Sequence, residues 1–358
     1  MFNPLKPYNT LPHLPPKYDF DTVAILKAVN AANKALSRLN ALASKLPDSS
    51  ILISPLLVRE SLASSKIENI NTTMEEIFQM ELLPEKKRSG PAKEVLHYRD
   101  AMLHGLTIVR KKGFLTTNDF IAIQKIVEPN KFGIRKMHVT IQNSATKEVL
   151  YTPPDGEKLL RDLLQNIEKY INENGDSTDP LIKMAVFHYQ FESIHPFLDG
   201  NGRVGRILMI LYLVMSGLLD LPVLFLSGYV GKHKNDYYSL LQNTRTKGDF
   251  GDIVLYFLKG VQVQAEEGAQ RVEKIDKLMK DFRSHIPATI KVQHHDLVEC
   301  LFSRPLITID FIQERFKLSA RQTASKYLAI LIDAELLEER KLGKAKIFFS
   351  KSFLKLLS

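Results

Sequence analysis

Apolar residues recur at intervals of three and four through most of this 358-residue chain, and strict alternation is confined to two short stretches. That pattern predicts a mainly α fold with no large sheet, and the length suffices for two or three cores. From Asp21 to Leu46 the series Val23, Leu26, Val29, Ala32, Leu36, Leu39 and Leu42 marks one helical face, which Asp19 or Asp21 could cap. Pro55 suits the first turn of a second helix reaching about Ile67. Further helices are expected over Met74–Met80, Lys93–Lys112, 117–128 with Thr117 as N-cap, Gly156–Asn172, Asp179–Ile194 and 203–216. Two or three more should carry the chain to about Phe282. Met137–Tyr151 alternates around the turn-rich Asn143–Thr146 and reads as a β-hairpin. The proline-rich residues 1–17 should run extended over the body.

The C-terminal stretch has its own order. Leu297–Phe302, Thr308–Phe316 and Ala320–Asp333 are helical in pattern. Leu336–Glu339 and Lys346–Phe349 then bracket the basic turn Arg340-Lys341-Leu342-Gly343-Lys344. Helix, short turn, helix and hairpin is the order of a winged helix-turn-helix. The expected organisation is an N-terminal helical segment over 1–92, a catalytic core over 93–284 and the winged module over 285–358.

The formal net charge is +9. It favours anionic partners such as nucleotides, nucleic acid or acidic proteins, but it is equally what a well-solvated lysine-rich surface shows. A lone cysteine, Cys300, rules out an intrachain disulfide framework and a cysteine-rich zinc site, and it suits a reducing compartment. The N-terminus has no apolar h-region, and the longest apolar run, Ile207–Ser216, is too short to span a bilayer. A cytoplasmic protein without membrane contact is expected.

Residues 195–206, HPFLDGNGRVGR, carry the chemistry. His195 can take a proton from a hydroxyl near neutral pH. Asp199 is a hard oxygen ligand suited to Mg²⁺. Gly200, Asn201 and Gly202 make a turn whose N–H groups can converge on an anion, and they lead into a helix start that also favours phosphate. Arg203 and Arg206 stand three apart on one face of that helix. Taken singly, a His before Pro, a GNG turn or an Arg pair is usually structural. Together they place a base, a metal ligand, an anion nest and two cations in one loop and helix start.

The segment HYQFESIHPFLDGNGRVGRILMILYL resembles the core signature of Fic proteins, matching every position of H-P-F-x-[D/E]-G-N-G-R-x-x-R, and the likeness extends over about residues 10–280. It implies a Fic-type helical core with a β-hairpin flap. It also implies transfer of AMP from ATP to a Ser, Thr or Tyr hydroxyl of a protein, the chain itself included, with release of pyrophosphate. By that resemblance His195 is the general base and Asp199 holds Mg²⁺. Gly200, Asn201, Gly202, Arg203, Val204 and Gly205 belong to the phosphate cradle, and Arg206 reaches the γ-phosphate. Hairpin 137–151 docks the target by strand addition. Tyr229, Tyr237 and Tyr238 are candidates to line the adenine, and a homodimer is a further expectation. Phe197 reads as core.

Residues 64–69, SSKIEN, match the inhibitory pattern [S/T]-x-x-x-E-[G/N] of one Fic class at Ser64, Glu68 and Asn69. Glu68 would pair with Arg206 and take the cation meant for the γ-phosphate, while Ser64 holds the helix. The plain alternative is a surface glutamate. Three other readings stay open: removal of AMP at the same site, DNA or protein binding by 285–358 through Arg321, Lys326, Arg340, Lys341 and Lys344, and a toxin-like enzyme held by a separate antitoxin. A metal site at His294-His295-Asp296 is disfavoured, because adjacent helical residues point apart.

Overall fold

The computed structural model describes all residues except 1, 47, 48, 144, 145, 174, 176, 343, 344 and 358, with the side chains of 49–54 and 345 also left aside. Residues 2–17 run extended over the body. Tyr8 N donates to Thr152 O at 3.0 Å, Leu14 N to Asn166 Oδ1 at 2.7 Å, and Gln190 Nε2 to Pro12 O at 2.7 Å.

Helix α1 (Val23–Ala43) is capped by Thr22, whose side chain accepts from Ile25 N, and not by Asp19 or Asp21. Its buried face is Ile25, Val29, Ala32, Leu36 and Leu39, whereas Val23 and Leu26 of the expected stripe are exposed. The helix is rotated so that Ile25 takes the place anticipated for Leu26. Helix α2 (Ser49–Ile67) begins six residues before Pro55, which therefore lies inside the helix and not in its first turn. Helix α3 (Met74–Glu81) opens on a reciprocal capping box between Thr73 and Glu76. Helix α4 (Gly90–Lys112) ends at Gly113 in the left-handed region. Helix α5 (Thr117–Val127) is capped by Thr116, not Thr117: Thr116 accepts from Asp119 N and Asp119 answers on Thr116 N, a second box.

The hairpin is shorter than its alternating pattern. Strand β1 (Ile141–Gln142) pairs antiparallel with β2 (Val149–Tyr151), with a register irregularity after Ile141. Met137–Thr140 form no ladder, and Ser144 and Ala145 of the tip lie outside the described residues. Helix α6 (Glu157–Asn172) lays its apolar face on helix α7 (Pro180–Ile194), whose N-cap is Asp179. Helix α8 (Asn201–Met215) follows the loop over 195–200. Residues 181–194 of α7 are all buried, as is nearly all of α8. Helices buried on every side are stable only inside other helices, and here α6 and α11 cover α7 while α4 and α5 cover α8.

Helices α9 (Leu226–Lys232) and α10 (Lys234–Lys247) lead into α11 (Gly251–His285), 35 residues without a break. At 1.5 Å per residue it is about 50 Å long. Helix α1 packs along it, with Leu39 against Gly268. The C-terminal unit then comprises α12 (His294–Ser303), α13 (Ile309–Arg315), α14 (Arg321–Asp333), β3 (Glu338–Leu342), β4 (Ala345–Phe349) and α15 (Lys351–Leu357). β3 and β4 form an antiparallel hairpin, and Ile307 adds an antiparallel bridge to Phe348. Arg340, Lys341 and Leu342 of the expected basic turn are in β3, and Gly343 and Lys344 lie outside the described residues. The closing helix α15 was not anticipated. Its Phe353 packs on Phe302 of α12, with ring centroids 4.6 Å apart. This unit is joined to the rest by continuous packing: α12 and α15 lie against both α2 and α11, and Arg340 pairs with Glu75 of α3. No helix among the described residues is long and apolar enough to cross a membrane.

Candidate functional site

The loop after α7 is shaped by one side chain. Asn201 Oδ1 accepts from Phe197 N at 2.9 Å and its Nδ2 donates to Phe197 O at 2.9 Å, a closed pair that ties the loop back on the helix start. Phe197 is fully buried below it. Gly200 has φ +80°, a value that favours glycine, and it begins α8. His195 ends α7 with φ +48°. Its carbonyl accepts from Arg135 Nε at 2.9 Å, and Arg135 N donates to Pro196 O at 2.9 Å. The buried guanidinium of Arg135 also reaches Met137 O and Pro154 O, so one residue binds the base of the hairpin to the loop.

A cavity of about 310 Å³ opens beside His195, Asp199, Gly200 and Gly202, and Glu68 closes one side of it. Burial, then the nearby Arg135 and Arg245, pushes the His195 imidazole down to about 4. It is therefore neutral at physiological pH and able to accept a proton, and its Nδ1 has no partner among the described residues. The Asp199 carboxylate is partly exposed at the cavity, 3.0 Å from Lys131 Nζ, with its own Gly200 N–H on the other oxygen.

Both arginines of the motif are buried and already engaged. Arg203 is bound by Glu128 at the end of α5, with Glu94 of α4 at 3.5 Å and Asp199 at 3.7 Å. Arg206 Nε donates to Ser64 Oγ at 2.8 Å, and its Nη2 donates to Ser64 O at 3.0 Å and to Glu68 Oε1 at 2.8 Å. Glu68, first among the partners, raises the Arg206 guanidinium further above its usual range. The last residue of the matched segment, Asn69, takes φ +64°, a conformation that asparagine tolerates and that stops α2. Gly202 is where the two parts meet: a Cβ there would lie 2.2 Å from Glu68 Oε1 and 2.9 Å from Arg206 Nη1.

The remaining sequence candidates are placed apart from the cavity. Val204 is in the core, and Gly205 allows close approach of Glu192 and His188 behind the loop. Tyr237 is buried and hydrogen-bonded to His188 at 2.9 Å. Tyr229 stacks near His233, and Tyr238 is half exposed beside Lys234. Sequence reading missed Glu94, Glu128, Lys131, Arg135 and Glu192. Glu192 is buried, its carboxyl is pushed up to about 7 by desolvation, and its Oε1 has no partner among the described residues. His295 pairs with Glu299 at 2.9 Å within α12.

Three family models match this chain: Fic/DOC family N-terminal over 26–107, Fic/DOC family over 114–213, and the C-terminal domain of protein adenylyltransferase SoFic-like over 275–353. The chain carries the N-terminal and core domains of the Fic/DOC family. The second match contains the whole of the Fic motif and the hairpin. Among curated relatives, the protein adenylyltransferase Fic of Nematostella vectensis is 26% identical over 186 residues, 48% of this chain and 40% of its own length. That of Culex quinquefasciatus is 29% identical over 187 residues, 50% of this chain and 34% of its own. The chain thus spans well under half the length of these relatives. A Fic family protein from Desulfovibrio desulfuricans superposes with a TM-score of 0.60 at 19% identity, over 94% of this chain and 98% of that one. Fic-1 of C. elegans gives 0.51 at 21% identity, over 70% and 72%. These likenesses establish a shared Fic fold over most of the chain.

Proposed function

We propose that this protein transfers AMP from ATP to a hydroxyl of a protein side chain, in a site that α2 holds shut. The relatives named protein adenylyltransferase support the reaction class. The observation that carries the regulatory part is the double engagement of Arg206 by Ser64 and Glu68.

In the proposed reaction the target hydroxyl oxygen attacks the α-phosphorus of ATP. The bond from that phosphorus to the bridging oxygen of the β-phosphate breaks, and pyrophosphate leaves. Neutral His195 takes the hydroxyl proton as the new bond forms. The N–H groups at the start of α8 and Arg203 stabilise charge on the phosphates, so catalysis is positioning plus electrostatics. Asp199 suits Mg²⁺, which takes one or two carboxylates and completes its shell with phosphate oxygens and water. Its partly exposed oxygens face the cavity beside a single exposed lysine. Once bound, the ion would neutralise charge shared by the α- and β-phosphates. With Arg206 withdrawn by Glu68, the γ-phosphate has no fixed cation and the α-phosphate is not held in line. Exposed Met137 and Leu150 on the hairpin offer the surface against which a target segment could lie. The single buried thiol, Cys300, suits a reducing compartment. The C-terminal order of helices and hairpin, with Ile307 bridging Phe348 as a third strand would, supports a winged-helix reading of that unit.

The test is incubation of full-length protein with ATP labelled in the α-phosphate and Mg²⁺, followed by intact mass. Glu68→Gly should raise AMP incorporation at least tenfold, and His195→Ala in that background should remove it. No gain in a folded Glu68→Gly protein would falsify the brake. Incorporation that survives His195→Ala would sink the assignment of the base. Loss of AMP from a pre-modified target, with no incorporation, would reassign the site to AMP removal.

A further inference from the structure

A crevice of about 770 Å³ lies between α11 and α15 and shares no residue with the cavity at His195. Its wall carries four cations, Arg271, Lys274, Lys277 and Lys355, against two carboxylates, Glu267 and Asp281. Both carboxylates have partners of their own. Glu267 pairs with Lys232 at 3.6 Å and accepts from Gln264 at 3.3 Å, and Asp281 faces His285 at 3.5 Å. None of the four cations has an ion-pair partner among the described residues.

Arg271 also lines a small adjoining cavity with Arg59 of α2. The Arg59 guanidinium lies over the Phe225 ring at 4.2 Å. Burial, then the like charge of Arg271, pushes it down to about 10. Arg271 is itself held below its usual range by burial, and although one of its nitrogens donates to Leu356 O, its buried Nε has no acceptor among the described residues. Glu60 and Glu267 also line that cavity and offset part of the charge, but neither forms an ion pair with Arg59 or Arg271 among the described residues, so the two partly desolvated guanidiniums form an arrangement that an anion would relieve. Guanidinium forks match phosphate oxygens in geometry, and the volume is that of a small-molecule site.

We infer that this crevice binds a small molecule carrying two or more linked phosphates, through Arg271 and the lysines of α11 and α15. The cations come from both walls of the crevice, Arg271, Lys274 and Lys277 from α11 and Lys355 from α15, and not from one face of a single helix. The inference stands whether or not the chain transfers AMP.

The probe is inorganic tripolyphosphate, titrated calorimetrically into the full chain at fixed ionic strength. The catalytic loop is a second place where it could bind, so three proteins are compared: wild type, Arg206→Gln, and Arg271→Gln with Lys274→Gln. A saturable event that persists in Arg206→Gln and weakens at least tenfold in the double variant is expected. Lys355→Glu, a change at an exposed position, should weaken the same event and serves if the double variant melts early. The inference is overturned if the event is lost in Arg206→Gln and unaltered by the groove substitutions, or if no saturable event occurs. Binding of a short DNA duplex in the groove, with tripolyphosphate inert, would also overturn it.

Discussion

At the scale of single residues, the site depends on a histidine kept neutral and an arginine kept occupied. His195 lies far below the ordinary imidazole range, at about 4, because its ring is desolvated and faces Arg135 and Arg245. A lowered value means that the neutral, proton-accepting form prevails at every pH well above 4 and is lost only as pH falls through that value. In Glu68→Gly protein, where one carboxylate that raises the ring is gone, the limb should lie lower still. The pH profile of kcat/KM for AMP incorporation, which reports the free enzyme, should therefore be flat from pH 6 to 8. A half-maximal rate near pH 6.5 would contradict this account. The residues of the motif were legible in the sequence because each type is chemically specialised and they sit within twelve positions. Glu128, Glu94 and Arg135 were not, because their roles come from α4, α5 and the hairpin base being folded against the loop. A glutamate before a proline carries no local mark of facing Arg203.

At the scale of elements, α2 is the one that would make the proposed reaction a regulated one. It is seated by Ser64 and Glu68 on Arg206, by Glu60 on Ser227 and Tyr98, and at its end by Lys234 Nζ on Ile67 O at 2.5 Å. Ser64→Ala removes the acceptor of a buried guanidinium N–H, a loss of about 1.5–3 kcal/mol for a bond to a charged group. AMP incorporation by Ser64→Ala should then fall between wild type and Glu68→Gly, about tenfold above the former. Incorporation equal to wild type at unchanged melting temperature would mean that Ser64 does not seat the helix. The existence of nearly every helix was legible from periodicity. Their ends were less so. Thr116 and Thr117 are equally good caps on paper, and only the answering bond from Asp119 selects the first. The alternation over 137–151 overstated the hairpin: Met137 O is held by Arg135, and cross-strand pairing begins only at Ile141.

At the scale of the whole molecule, the three expected segments pack against one another. Helix α11 runs unbroken from the catalytic core into the C-terminal unit, and α2 lies against both. Far-ultraviolet circular dichroism and tyrosine fluorescence should accordingly report one shared thermal transition, and two resolved transitions would contradict the packing. Sequence reading drew a boundary near 285 because the order of helices and hairpin changes there, while the continuity of α11 and the docking of α15 are properties of the assembled chain. The space above Gly202 has a further consequence for how such a protein can vary. That space is filled by the Glu68 carboxylate in the closed form and, under the proposed reaction, adjoins the phosphates in the open one. A larger residue at 202 would evict both occupants at once. Heritable gain of activity is thereby steered away from the catalytic loop and towards α2, where a change can release the lock without spoiling the keyhole.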